Sequence, residues 1–379
     1  MRKIGLAVLI VLVGAAALWR WQQPQADGIA AESLLAILAD QDASGYAIAS
    51  EPGAIQFPRD FGPHEDYQGE WWYYTGNLET AGGRLFGYQL TFFRKALAPT
   101  AEAMIVEGSS SWRTNQIYMA NFAISDIAKG GFYPVERFGR AALGMAGATA
   151  EPYGVWVGDW YARESENKSV TLSAKTQHTA LELSLTQTLP PILHGNAGLS
   201  VKSEHAETAS YYYSLLRQAT RGTVTVNGES FSVTGVSWKD HEYFSGALAA
   251  DDLGWDWFGL QFNNGAALMI YQLRRKNGEF SPFSGGTFVA GDGTVTHLSL
   301  SDWRITAHDH WTSSYSHTTY PIGWQIEIKR IGLRLTGAAL IRDQEWRGTT
   351  PYWEGAASFE GHYRDGPIKG HGYVEMTGY

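Results

Sequence analysis

Thr223-Val224-Thr225-Val226-Asn227-Gly228-Glu229-Ser230-Phe231-Ser232-Val233-Thr234-Gly235-Val236-Ser237-Trp238-Lys239-Asp240-His241-Glu242-Tyr243-Phe244 opens as a β-hairpin and closes as a cluster of acids, bases and rings. Asn227-Gly228 supplies the positive φ angles that a type I′ turn requires. The return arm leads directly into Trp238–Phe244, which sets three potential proton carriers in an aromatic frame. Along an extended strand Trp238, Asp240 and Glu242 share one face, while Lys239, His241 and Tyr243 take the other. Both sets cannot point into one cavity without a bulge, so Asp240 ranks first as a working acid, Glu242 second and His241 third.

Outward from this hairpin the chain reads as strand and turn. Segments 71–78, 85–93, 104–109, 117–125, 170–175 and 181–186 carry β-branched or aromatic residues, with Gly, Pro, Asn or Asp in many of the breaks. A second block runs through 255–262, 267–274, 286–290, 294–300, 324–329, 333–336, 356–362 and 372–377, with turns at Asn263-Asn264-Gly265, Gly291-Asp292-Gly293 and Asp365-Gly366. The blocks divide at Ser245–Asp252, small and polar enough for a surface linker. Domains are therefore expected over 57–245 and 254–379, after a lead-in over 27–56 whose best helical stretch is Ala31–Asp42. Trp72 with Tyr88-Gln89-Leu90 parallels Trp257 with Tyr271-Gln272-Leu273, which suggests two related β units in tandem.

Composition agrees with an all-β chain. Of 379 residues, 15 are Trp, 20 Tyr, 16 Phe and 43 Gly, a mixture that β-rich, turn-rich proteins produce more readily than helical ones. The net charge of −9, with no basic run outside the extreme N-terminus, argues against a nucleic-acid partner. The lack of cysteine removes disulfides, thiol nucleophiles and Cys-ligated zinc. Arg2-Lys3 precedes an uncharged stretch over 4–19, the pattern of an export signal, so a periplasmic or cell-envelope location is expected. Residues 1–26 serve either as a signal cleaved near Ala15-Ala16-Ala17 or as an uncleaved membrane anchor, for which Trp19 and Trp21 would suit the interface.

Two further clusters accompany the heptapeptide: His64-Glu65-Asp66-Tyr67 running into Glu70-Trp71-Trp72-Tyr73-Tyr74, and Gly254-Trp255-Asp256-Trp257-Phe258-Gly259. Asp256, between two indoles, reads as a cap or ion-pair residue. His308-Asp309-His310 with His317 nearby offers imidazoles, but nothing at a defined spacing completes a metal site, and a polar loop is the simpler reading. No Gly-x-Ser-x-Gly elbow, Gly-x-Gly-x-x-Gly or Walker A loop occurs, so neither that serine-hydrolase motif nor a nucleotide cofactor is expected.

Phe57-Pro58-Arg59-Asp60-Phe61-Gly62-Pro63-His64, Glu70–Leu78, Trp238–Glu242, Gly254–Phe258 and the ending Gly372–Tyr379 together resemble the AttH-like family, which includes the hydroxyneurosporene synthases, or carotenoid 1,2-hydratases. The resemblance spans roughly residues 57 to 379. It implies two tandem lipocalin-like antiparallel β-barrels and a cofactor-independent addition of water across an isoprenoid double bond. It also implies that the acid of the Asp-His motif, here Asp240, donates the proton. Such chemistry needs a strong acid, a site that tolerates a tertiary carbocation and a delivered water. Burial beside Trp238, Tyr243 and Phe244 would raise the Asp240 pKa, and ring faces would stabilise the cation. His241, Glu242, His64 and Glu65 are the candidates to orient the acid or hold the water. Trp71, Trp72, Tyr73, Tyr88, Trp238, Tyr243, Trp255 and Trp257 are the candidate walls for a lipophilic ligand. Two blander readings compete: a buried hydrogen-bonded corner where the domains meet, and a non-catalytic carrier of a lipophilic molecule at the envelope.

Overall fold

A computed structural model describes residues 43–100, 110, 112–246, 248–249 and 251–379. The export segment over 4–19, the helix expected over Ala31–Asp42 and the strand expected over 104–109 lie outside them. Among the described residues the helical content is a set of short 3-10 turns, and no helix is long and apolar enough to cross a membrane.

The chain is all-β and forms two curled antiparallel sheets. The first contains β1 (Gly69–Glu79), β2 (Leu85–Ala96), β3 (Gln116–Asp126), β4 (Gly131–Arg140), β5 (Ala146–Thr149), β6 (Gly154–Val157), β7 (Trp160–Glu164), β8 (Val170–Lys175), β9 (Thr179–Gln187), β10 (Ile192–Leu193), β11 (Leu199–Ser200), β12 (Ser210–Val226) and β13 (Glu229–Phe244). The second contains β14 (Asp252–Phe262), β15 (Ala267–Arg275), β16 (Gly285–Val289), β17 (Val295–Ser299), β18 (Trp303–Thr312), β19 (Thr319–Ile328), β20 (Leu333–Ala339), β21 (Glu345–Arg347), β22 (Pro351–Tyr363) and β23 (Gly366–Met376). In the first sheet the main path runs β4-β3-β2-β1-β13-β12-β9-β8-β7-β6-β5, and the curl brings β3 and β4 back against β5 and β6. In the second the path is β17-β16-β15-β14-β23-β22-β20-β19-β18.

The opening hairpin forms as its turn chemistry dictates. Asn227 and Gly228 have φ of 50° and 84°, and β12 pairs β13 from Val226↔Glu229 to Ser210↔Phe244 with one bulge between Leu215 and Gln218. Strands β4 to β7 were not anticipated, because 131–164 mixes Gly, Ala and isolated aromatics without a clear period. The reading of His308–His310 as a loop is corrected: these residues lie on the exposed strand β18, where Asp309 pairs with Arg342 at 2.8 Å. The tandem repeat is not a structural equivalence, since Tyr88 stands opposite Gly76 whereas Tyr271 stands opposite Trp257 itself.

Large side chains occupy the interior of the first barrel. Trp72, Tyr74, Tyr88, Phe92, Phe122 and Trp160 point inward and are wholly buried, each contributing on the order of 2–3 kcal/mol of burial free energy. The second barrel is filled in the same way around Trp324, Trp353 and Phe359. A third apolar cluster lies outside both, where Tyr73, Tyr212 and Trp238 of the first barrel meet Trp257, Tyr271 and Tyr373 of the second. The barrels touch closely there: a Cβ on Gly87 would sit 2.5 Å from the Tyr373 hydroxyl, so only glycine admits this approach.

Candidate functional site

Strand alternation and register assemble the site from both barrels. Inward Trp72 and Tyr74 alternate with outward Trp71 and Tyr73 on β1, and inward Lys239 and His241 alternate with outward Asp240 and Glu242 on β13. Cross-strand neighbours then stack into rungs: Thr91–Tyr73–Asp240–Ser214, and Phe93–Trp71–Glu242–Tyr212. The facing barrel presents Tyr271–Trp257–Glu375–Glu354 across four strands. Trp257 lies flat over Gly259, where a Cβ would come within 2.2 Å of the indole.

Between these faces lies a cavity of about 940 Å³, counting the part open to solvent. Its walls include Trp71, Tyr73, Tyr212, Trp255, Trp257 and Tyr271, with Leu248 of the connecting segment and Phe244 also in contact. Such a space suits an apolar molecule held by a few polar groups. Four carboxyls face it, Asp240, Glu242, Glu354 and Glu375, with Lys202 as the single cation among the described lining residues.

Asp240 is buried at 4% exposure and is fully engaged. Oδ2 accepts from the Tyr212 hydroxyl at 2.6 Å, and Oδ1 accepts from the Ser214 hydroxyl and the Trp238 indole N–H. Burial pushes its pKa up; the Ser214, Tyr212 and Trp238 hydrogen bonds pull it down, and the Glu242 charge pushes it up again, leaving it at about 7. Burial and the neighbouring carboxylate therefore outweigh three donors. Glu242 accepts from the Ser210 hydroxyl and pairs with Lys202 Nζ at 3.2 Å. Burial opposes the charge on Lys202, but Glu242 and Tyr271 restore it and raise its pKa, and its ammonium sits 4.0 Å from the Tyr271 ring centroid. Glu354 is buried and Glu375 half-buried; burial and the Glu375 charge raise the pKa of Glu354, while burial and the Asp240 and Glu242 charges raise that of Glu375 to about 8, so both favour the neutral form. The Tyr352 hydroxyl accepts from Gln89 at 3.2 Å and Asn121 at 3.1 Å, and its interaction with Glu354 opposes the rise in that carboxyl's pKa.

The other candidates lie elsewhere. His64, His241 and Tyr243 sit on the opposite face of the sheet. Glu70 Oε1 accepts from His64 Nδ1 and His241 Nε2, both at 2.7 Å, and Oε2 accepts from Arg94 Nε at 2.9 Å. Tyr243 stacks on His64 with centroids 3.5 Å apart. Burial opposes the Glu70 charge, yet His64 and Arg94 hold its pKa well below the usual range. Burial drives His241 down to about 3, so its ring is neutral. The ligand atoms of His64, Glu70 and His241 lie within 4.8 Å of one another, close enough to share an ion. They already bond one another, with Arg94 supplying a charge that an ion would have to displace, so hydrogen bonding accounts for the cluster. It clamps the segment around His64 to the barrel. Glu65 is exposed, Trp72 and Tyr88 are core residues of the first barrel, and Trp238 stands behind Asp240 as its donor without lining the cavity. Asp256 pairs with Arg274 at 3.0 Å and accepts from the Tyr379 hydroxyl at 2.9 Å, away from the cavity.

Sequence reasoning passed over Lys202, Tyr212, Ser214, Tyr352, Glu354 and Glu375. Tyr212 and Ser214 carried a usable signal, since pairing the opening hairpin outward from Asn227-Gly228 brings β12 beside the heptapeptide. The acids of β22 and β23 carried none, because the contact between barrels is invisible in either one alone.

Several known structures share this architecture. A candidate AttH from Nitrosomonas europaea is 30% identical and superposes with a TM-score of 0.76 over 88% of this chain and 99% of its own. Kievitone hydratase from Nectria haematococca shares the fold at 15% identity, with a TM-score of 0.67 over 90% of this chain and 98% of its own. No curated protein sequence matches the chain. The AttH-like family model matches residues 48–379, almost every residue of both barrels and their junction, and the chain belongs to the AttH-like family.

Proposed function

We propose that the protein is a cofactor-independent hydro-lyase that adds water to a double bond of an apolar, isoprenoid-like substrate in the cavity between the barrels. The observation that carries this reading is Asp240, an acid with raised proton affinity in the wall of an aromatic cavity. Kievitone hydratase, which shares the fold, is by name a hydratase of the same broad reaction class. In the proposed reaction the π electrons take the Asp240 proton to form a C–H bond. The faces of Trp71, Tyr73 and Trp257 stabilise the resulting cation. Glu242, two residues along the strand and so roughly 7 Å away, orients the attacking water with Lys202 and accepts its proton. The uncharged stretch after Arg2-Lys3 supports a site of action at the cell envelope.

Apolar compounds extracted from the purified protein and identified by mass spectrometry supply the substrate candidates. Incubated with such a compound in ¹⁸O-labelled water, the wild type should place label in the product and Asp240→Asn should not; equal labelling by both would sink the reading. One observation favours a carrier instead: the saturation of both Asp240 oxygens by donors, which suits a structural carboxylate. A carrier retains its compound in Asp240→Asn and loses it in Trp257→Ala, with no label incorporated by either protein.

A further inference from the structure

Asp240 accepts hydrogen bonds from three side chains, and only one of them leads anywhere. The Trp238 indole is a donor with no acceptor site, so it cannot relay a proton. The Tyr212 hydroxyl accepts from the Trp257 indole at 3.0 Å, which ends that branch in the same way. Ser214 Oγ, however, lies 2.6 Å from Nε2 of the wholly buried His194. His194 Nδ1 lies 2.9 Å from Thr287 Oγ1 on the second barrel, and Thr287 stands 3.4 Å from Nδ1 of His297, its cross-strand neighbour on β17. His297 is exposed to solvent.

We infer that Ser214, His194, Thr287 and His297 form a proton wire that connects Asp240 to bulk solvent through the second barrel, entering behind the cavity instead of through its mouth. Its purpose rests on Asp240 acting as the acid of the proposed reaction. An apolar substrate filling the cavity would exclude water from the exposed side of Asp240, and a spent carboxylate would need another proton source.

The polarity is consistent along the whole chain. His297 takes a proton from water at Nε2 and gives one from Nδ1 to Thr287. Thr287 gives its own to His194 Nδ1, and His194 Nε2–H passes to Ser214. Ser214 gives its proton to Asp240 Oδ1, so every intermediate atom gains one and loses one. Both tautomers of neutral His194 satisfy Ser214 and Thr287, so the wire conducts in either direction. The charged or titratable groups facing its two ends are Lys202 and His297 toward His194, and Glu242, Glu375, Tyr73 and Tyr212 toward Asp240. Ser214, His194 and Thr287 are relay residues, since in the structure they lie off the cavity lining.

The test needs no turnover: the cavity is filled with the neutral apolar probe N-phenyl-1-naphthylamine, so that water cannot reach Asp240 through its mouth. After a rapid pH drop, time-resolved infrared spectroscopy follows the carboxyl C=O band of protonated Asp240, identified as the band missing from Asp240→Asn. Thr287→Val keeps shape and removes the relaying hydroxyl; it should slow the appearance of this band on the order of ten-fold or more, without moving its equilibrium midpoint. Thr287→Ser should restore the rate. His297→Ala, a surface change that leaves folding intact, should also slow it, and free imidazole in the buffer should rescue His297→Ala but not Thr287→Val. An unchanged rate in Thr287→Val or His297→Ala overturns the wire, as does a midpoint shift that accounts for the whole effect. Because the band is read without turnover, loss of the wire leaves the hydratase reading standing. A working wire in a protein whose Asp240→Asn variant still labels its product sinks that reading alone.

Discussion

Asp240→Asn should change the way stability depends on pH, and the size of the change measures the balance of forces on this carboxyl. In the unfolded chain the group ionises near 3.8, whereas in the fold burial holds it at about 7. Between those values the unfolded state has released its proton and the folded state still binds it. Each unit of rising pH in that window therefore removes about 1.4 kcal/mol from the wild type, to a total of about 4 kcal/mol. The amide does not titrate, so the variant escapes this loss. It carries instead a pH-independent offset, because an amide NH₂ replaces one of the oxygens that accept from Tyr212, Ser214 and Trp238. Urea unfolding of both proteins from about pH 4 to about pH 8 separates the two effects. The difference in unfolding free energy, variant minus wild type, should rise by about 4 kcal/mol over that window and stay flat above it. Parallel curves would refute the reasoning. They would mean that the three donors hold the folded carboxylate near its ordinary pKa and that Asp240 has no proton to donate near neutrality.

Other substitutions test the division between core and site. Glu70→Gln leaves Arg94 buried with only neutral partners and should lower stability by roughly 3–5 kcal/mol by chemical denaturation; a loss near zero would contradict the clamp assigned to His64, Glu70, His241 and Arg94. Trp72→Ala should cost about 3–5 kcal/mol because it empties part of the first barrel, whereas Trp71→Ala, half-buried at the cavity wall, should cost clearly less. The same pair should show the reverse order in binding the neutral fluorophore N-phenyl-1-naphthylamine, with Trp71→Ala the weaker binder by fluorescence titration.

Much of the strand pattern was legible because its causes are local. The Asn227-Gly228 turn needs only two residues that accept positive φ, and the segregation of Asp240 and Glu242 from His241 and Tyr243 needs only the two-residue period of a strand. The same period divides Trp71 and Tyr73 from Trp72 and Tyr74, but it does not say which face meets the barrel lumen. Both faces carry large rings, so hydrophobicity could not rank them, and Trp72 and Tyr88 entered the candidate walls although both are core. His64 and His241 were equally ambiguous, since an imidazole beside acids reads alike in a reactive site and in a structural cluster.

By itself, the sequence determined an all-β chain in two blocks and singled out Asp240 as the acid on the face opposite His241. Those conclusions rest on turn chemistry and alternation, interactions between residues close together in the chain. Only the tertiary structure decided that the cavity lies between the barrels. Large side chains, many of them aromatic, occupy both barrel interiors, and a third set of rings is buried where the outer faces of the two sheets meet. That contact brings Glu354 and Glu375 toward Asp240 across more than 100 residues of chain, and joins His194 to Thr287 between the barrels. The pKa of Asp240 follows from the same contact, because it is burial, and no neighbour in the heptapeptide, that contributes most to raising it.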